Sequence, residues 1–134
     1  MAQIHDVIRG GGVPGTGAFV METVKALLKA DPANVSSKTP RGWTPLHFAA
    51  MKGNIYVARL LLENGAKANA LDNDGVTPLH VAAGMGYRDL AELLLSNGAA
   101  VNAEDNKHET PLRSALVQGY DNVVNLLRKH NGHE

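Results

Sequence analysis

Gly10, Gly12 and Gly15 spell a Gly-x-Gly-x-x-Gly pattern, and Pro14-Gly15-Thr16-Gly17 overlaps it. Glycine loops of this kind cradle phosphates with backbone amides. A dinucleotide loop, however, follows a strand and opens a helix inside a βαβ unit. Here Ile4 to Arg9 reads as a helix, and Ala18 stands where a phosphate loop needs lysine. The stretch 10–17 therefore reads as an exposed loop, with an added contact loop and a nucleotide site as its alternatives. Six histidines raise metal chemistry: His5, His47, His80, His108, His130 and His133. Cysteine is absent, which removes thiolate ligands, a cysteine nucleophile and disulfides. No serine is flanked as Gly-x-Ser-x-Gly. Asp72 with Asp74, and Glu104 with Asp105, are paired carboxylates, but each pair sits among turn-forming residues. The expectation is a protein without catalytic residues, cofactor or metal.

The elements that would carry these residues follow from a repeat. Thr-Pro-Leu-His stands at Thr44 to His47 and again at Thr77 to His80, and Thr-Pro-Leu-Arg follows at Thr110 to Arg113. Each step is 33 residues, and Ala49, Ala82 and Ala115 keep the phase, as do Gly53, Gly86 and Gly119. A fixed period of this length means stacked units that bury their apolar faces on one another. Threonine caps the helix start, proline suits its first position, and glycine ends it. A second helix carries Val57, Leu60 and Leu61, then Leu90, Leu93 and Leu94, then Val123, Leu126 and Leu127. Gly65, Gly98 and Asn131 close those helices. His47 and His80 lie one unit apart, about 10 Å in a stack of helices, too far to share a zinc ion.

This pattern resembles the ankyrin repeat family, over residues 39 to 132 and only in part before them. The resemblance implies an all-α solenoid of stacked helix-turn-helix units with β-turn fingers. One domain is expected over 1–134. An atypical N-terminal cap, 1–41, would hold the insert 10–17. Repeats at 42–74 and 75–107 and a C-terminal capping repeat at 108–134 would follow. In the cap, Ile4, Val7 and Ile8 would form the first helix, and Val24, Leu27 and Leu28 the second. The motif histidines are expected to bond backbone in neighbouring turns, and Arg113 fits a unit with no turn after it. Asn69 and Asn102 occupy a position hydroxylated in some animal relatives, but backbone hydrogen bonding explains them.

The resemblance also implies a non-enzymatic role in protein–protein recognition through a concave groove and its turn tips. Carried over by position, the tips are Pro40, Arg41 and Trp43, then Asn73, Asp74 and Val76, then Asn106, Lys107 and Glu109. The first-helix positions are Met51 and Lys52, Gly84 and Met85, then Val117 and Gln118. The structural framework does not ask for these identities, which leaves them free to select a partner. Met51, Met85 and Val117 are apolar where a solvated helix prefers charge, and methionine adapts to irregular surfaces. Trp43 has packing on the next turn as its alternative.

Thirteen basic and thirteen acidic residues balance in the 134-residue chain, so no net charge draws it to nucleic acid or an anionic membrane. Met1 to Arg9 is polar, unlike a secretory signal. A cytoplasmic protein, monomeric in isolation, with an unidentified protein partner is expected. A structural or regulatory subunit or inhibitor in a stable complex is the alternative, with a nucleotide-binding or enzymatic role through the insert behind it.

Overall fold

The computed structural model describes residues 4–10 and 17–134. Among them, eight α-helices follow in order: α1 (Ile4–Gly10), α2 (Gly17–Ala30), α3 (Pro45–Lys52), α4 (Ile55–Glu63), α5 (Pro78–Met85), α6 (Arg88–Ser96), α7 (Pro111–Gln118) and α8 (Asp121–Lys129). A 3-10 helix, Pro32–Ser36, lies between α2 and α3. The first helices stack in one layer, α1 on α3, α3 on α5 and α5 on α7. The second helices form the other layer, α2 on α4, α4 on α6 and α6 on α8.

The repeated residues do the local work expected of them. Thr44, Thr77 and Thr110 each accept a hydrogen bond from the amide three residues on, with proline as the next residue. Gly53, Gly86 and Gly119 cap α3, α5 and α7 in the left-handed conformation. Asn131, at φ 69, holds the position where Gly65 and Gly98 also have positive φ. Between the layers lies a thin continuous core. Val57, Leu61, Leu79, Leu94, Val123 and Leu127 are fully buried in it, and Ala49 and Ala82 let the first helices approach. Leu60 and Leu93, counted from sequence in the same stripe, are only partly buried at the rim. Each full leucine burial removes enough apolar surface from water to stabilise the fold by about 1.5–3 kcal/mol.

The N-terminal unit departs from the others. Ile4, Ile8, Val24 and Leu28 are buried as the phase predicts. Its second helix, however, has 14 residues, where α4, α6 and α8 have nine. Gly10 ends α1 and Gly17 begins α2, so both ends of the glycine-rich stretch are helical. Residues 11–16, on which the loop and nucleotide readings fall, lie outside the described residues. A further difference stands at Pro32, in phase with Gly65 and Gly98. Proline fixes φ near −65° and cannot take the left-handed cap. The chain turns instead through the 3-10 helix, capped by Asp31, whose side chain accepts from the Ala33 amide at 3.1 Å.

Candidate functional site

The turns that carry the predicted tips are built by side chains bonding backbone. Asp72 Oδ1 accepts from the amides of Asp74 and Val76, each at 2.8 Å. Asp105 Oδ1 repeats this with Lys107 at 2.8 Å and Glu109 at 3.0 Å. The carboxylates Asp72 and Asp105 are thus turn formers. Successive turns are then tied together. The Asn73 amide donates to the Arg41 carbonyl at 3.0 Å, and its side chain donates to Pro40 at 2.9 Å. Asn106 does the same to Asp74 at 2.9 Å and Asn73 at 3.2 Å. Contrary to the sequence expectation, the framework does use Asn73 and Asn106, which form a turn-to-turn ladder.

His47 and His80 bridge each helix start to the next turn. His47 Nδ1 accepts from the Thr44 amide at 3.1 Å, so its proton sits on Nε2, which donates to the Val76 carbonyl at 2.8 Å. His80 likewise accepts from Thr77 at 3.2 Å and donates to Glu109 at 2.8 Å. Burial pushes the His47 imidazole below its usual value, with the Val76 carbonyl and Asp72 partly opposing. Both rings are structural. At the C-terminal end Thr110 Oγ1 donates to the His133 carbonyl at 2.6 Å. Asn69 and Asn102 fasten neighbouring loops: Asn69 accepts from Ala100 at 2.7 Å and donates to Gly98 at 2.9 Å. Asn102 accepts from His133 at 3.0 Å. Among the described residues no three His, Asp or Glu side chains gather as a metal site.

On the first-helix face lies an open cleft of about 500 Å³. It brings together Trp43, Met51, Val76, Met85, Glu109, Val117 and Gln118 of the predicted residues, with Gly84. A second hollow of about 460 Å³ adjoins it, sharing Trp43 and Met51 and adding Arg41 and Pro40. Lys52, Asn73, Asp74, Asn106 and Lys107 line neither. Met85 is 43% exposed and Val117 63%, while Met51 is half-buried against the core. Trp43 packs as its alternative reading expected, and it also lines the cleft. Its indole donates to Asp72 at 2.9 Å and its ring packs 5.0 Å from Phe48, yet it remains part of both hollows.

Sequence reasoning missed Phe48, Val81 and Ser114, which also line the two hollows. These three are in phase, and each stands three residues before Met51, Gly84 and Val117. Helical i, i+3 spacing is the signal that could have found them. Arg9, on the non-repeating α1, had no such signal; its guanidinium lies 5.9 Å from the Phe48 ring centre.

The stacked helix pairs, the threonine–histidine bridges and the tied turns have a counterpart in known families. Residues 17–105 and 72–134 match the family described as ankyrin repeats (3 copies), and the chain belongs to it. Among curated relatives, it is 33% identical over 74 residues to human protein phosphatase 1 regulatory subunit 27, covering 55% of this chain and 42% of that protein. It is 45% identical over 49 residues to regulatory protein NPR1 of Arabidopsis thaliana, 37% of this chain and 8% of that one. It is 37% identical over 54 residues to palmitoyltransferase akr1 of Schizosaccharomyces pombe, 40% of this chain and again 8% of the relative. The matches thus span less than half the length of each relative. Ankyrin repeats form protein–protein interaction modules and are typically non-catalytic. No helix among the described residues is long and apolar enough to cross a membrane.

Proposed function

We propose that the chain is a non-enzymatic, cytoplasmic recognition module that binds a protein partner in the first-helix groove and along its turn tips. The observation that carries this reading is the row of apolar side chains, Trp43, Met51, Met85 and Val117, along one open cleft. Both Met85 and Val117 are exposed, where helix surfaces ordinarily carry charge. Tryptophan and arginine, present as Trp43 and Arg41, are types enriched among residues that dominate binding energy. The scaffold around them is held by turn-to-turn hydrogen bonds, so the site is formed before a partner arrives and little ordering entropy is lost on binding.

Capture of the partner with lysine-directed crosslinking tests this reading. Crosslinks should gather on Lys52 and Lys107, at the end of α3 and on the third turn. Lys25, Lys29 and Lys129, on the second helices α2 and α8, serve as the opposite face. Crosslinks confined to those three would place the interface outside the groove and overturn the reading.

A second reading, a regulatory subunit held in a stable complex, is favoured by the likeness to protein phosphatase 1 regulatory subunit 27. Recovery with the partner in fixed stoichiometry through gel filtration would support it over transient recognition.

A further inference from the structure

Gly84 lies inside α5, in register with Met51 on α3 and Val117 on α7. Glycine inside a helix is destabilising relative to alanine. The fold supplies no compensating demand. Gly84 is not in a left-handed conformation, and a Cβ there would meet only Ser114 Cβ, at 3.7 Å, an ordinary contact. The contrast with Gly86 is sharp: there φ is +79°, and a Cβ would come within 2.8 Å of the Tyr120 ring. The missing side chain at Gly84 leaves a notch in the lining of the cleft, in register with Met51 and Val117.

Among the side chains that line the two hollows, charge is sorted about that notch. The hollow beside Trp43 carries two cations, Arg9 and Arg41. Arg9 pairs with Asp6 at 2.8 Å, whereas Arg41 makes no ion pair among the described residues. The cleft carries two carboxylates, Asp105 and Glu109. Asp105 is engaged with its own turn through Oδ1, while the Glu109 carboxylate makes no ion pair among the described residues. His80, also in the cleft, is committed to the Glu109 carbonyl.

We infer that the cleft receives a peptide segment of its partner with a large apolar side chain seated at Gly84, acidic residues toward Arg41 and basic residues toward Glu109. This inference rests on the groove reading above and specifies it. A wall residue smaller than both its neighbours gives a bulky side chain a pocket. The opposed charges at the two ends fix which way the segment lies, since like charges in the reversed orientation are repelled.

A displayed library of random peptides supplies the probe. A length of about 12 residues, at ~3.3 Å per residue, is enough to cross three stacked helices. Selection should enrich a large apolar residue between an acidic and a basic flank. Gly84→Met, which extends into the notch what α3 already carries at Met51, should weaken a selected peptide by at least about tenfold. Arg41→Glu and Glu109→Gln should weaken it as well. Gly84→Ala should raise the melting temperature by roughly 2–5 °C. Failure to enrich any peptide, enrichment without the charge pattern, or a lower melting temperature for Gly84→Ala would overturn the inference. Peptides indifferent to Gly84→Met but lost with Arg41→Ala, Met85→Ala and Val117→Ala combined would refute the seat alone. Peptides indifferent to both changes would refute the groove reading with it.

Discussion

His47 has one ring proton, and its neighbours decide where it goes. The Thr44 amide occupies Nδ1, so the imidazole is held neutral with Nε2 donating to the next turn. A second proton would have to be placed on a buried nitrogen already facing an N–H donor. Burial accordingly lowers the folded pKa below the ordinary 6.5. As pH falls through about 6.5, the unfolded chain takes up a proton that the folded chain refuses, and stability is lost until the lowered folded pKa is passed. The urea midpoint should therefore drop between about pH 7.5 and about pH 5.5. His47→Gln keeps a side chain suited to this cap and does not titrate, so its midpoint should drop less. An equal drop in both proteins would contradict the assignment. His108 is the second instructive residue. It takes φ 62 at the turn position where Gly42 and Gly75 stand. Those two glycines are hemmed in by the next turn, with the Asn73 and Asn106 Oδ1 atoms 2.6 and 2.7 Å from a Cβ position. The His108 side chain is 87% exposed, so it fits there but still bears the left-handed strain. His108→Gly should stabilise the protein by about 0.5–1 kcal/mol in denaturant titrations. The exposed contact to Glu104 that it forfeits, at 3.6 Å, is worth little.

At the scale of elements, periodicity located the helices but did not rank the leucines within them. Leu93 and Leu94 are adjacent and look alike in sequence, yet Leu94 is fully buried and Leu93 is only partly so. The difference depends on how α6 is rotated against α4 and α8, which a stripe three or four residues wide does not specify. Leu94→Ala should cost about 2–5 kcal/mol, and Leu93→Ala less than half of that, by thermal or urea unfolding. Equal losses would mean the helix is rotated from its described position. The helix starts and caps were legible because each rests on a residue with a steric or hydrogen-bonding reason, such as Thr77, Pro78 and Gly86. The N-terminal unit was less so. Its α2 is five residues longer than its counterparts, a choice of weak propensities that tertiary packing decides. Its 3-10 helix was readable in principle, since Pro32 breaks the phase at a position that needs positive φ. The candidate site was legible where it repeats. Met51, Met85 and Val117 fell in the groove, whereas Arg9 did not show itself, because α1 has no repeat partner to align with.

The whole molecule is a stack in which each unit touches its neighbours, so its core is a strip and its working surface is a face. That face is offered by backbone geometry and by the turn ladder of Asn73 and Asn106, while its chemistry comes from residues the stack does not fully use. Met51 marks the boundary between the two, since it lines the cleft but is also packed on the core. A clean test must spare it. Arg41, Met85 and Val117 are all exposed and span the groove from its first turn to its last helix. Replacing the three by alanine should leave the melting temperature unchanged. Calorimetry of this variant against the captured partner is the decisive measurement of the groove. The groove assignment predicts a loss of at least about 2 kcal/mol of binding free energy, the size of a single dominant contact. Replacing Arg59 and Glu92, on the second helices α4 and α6, should change binding little. Undiminished affinity in the groove variant, with a loss in the Arg59 and Glu92 variant, would contradict it.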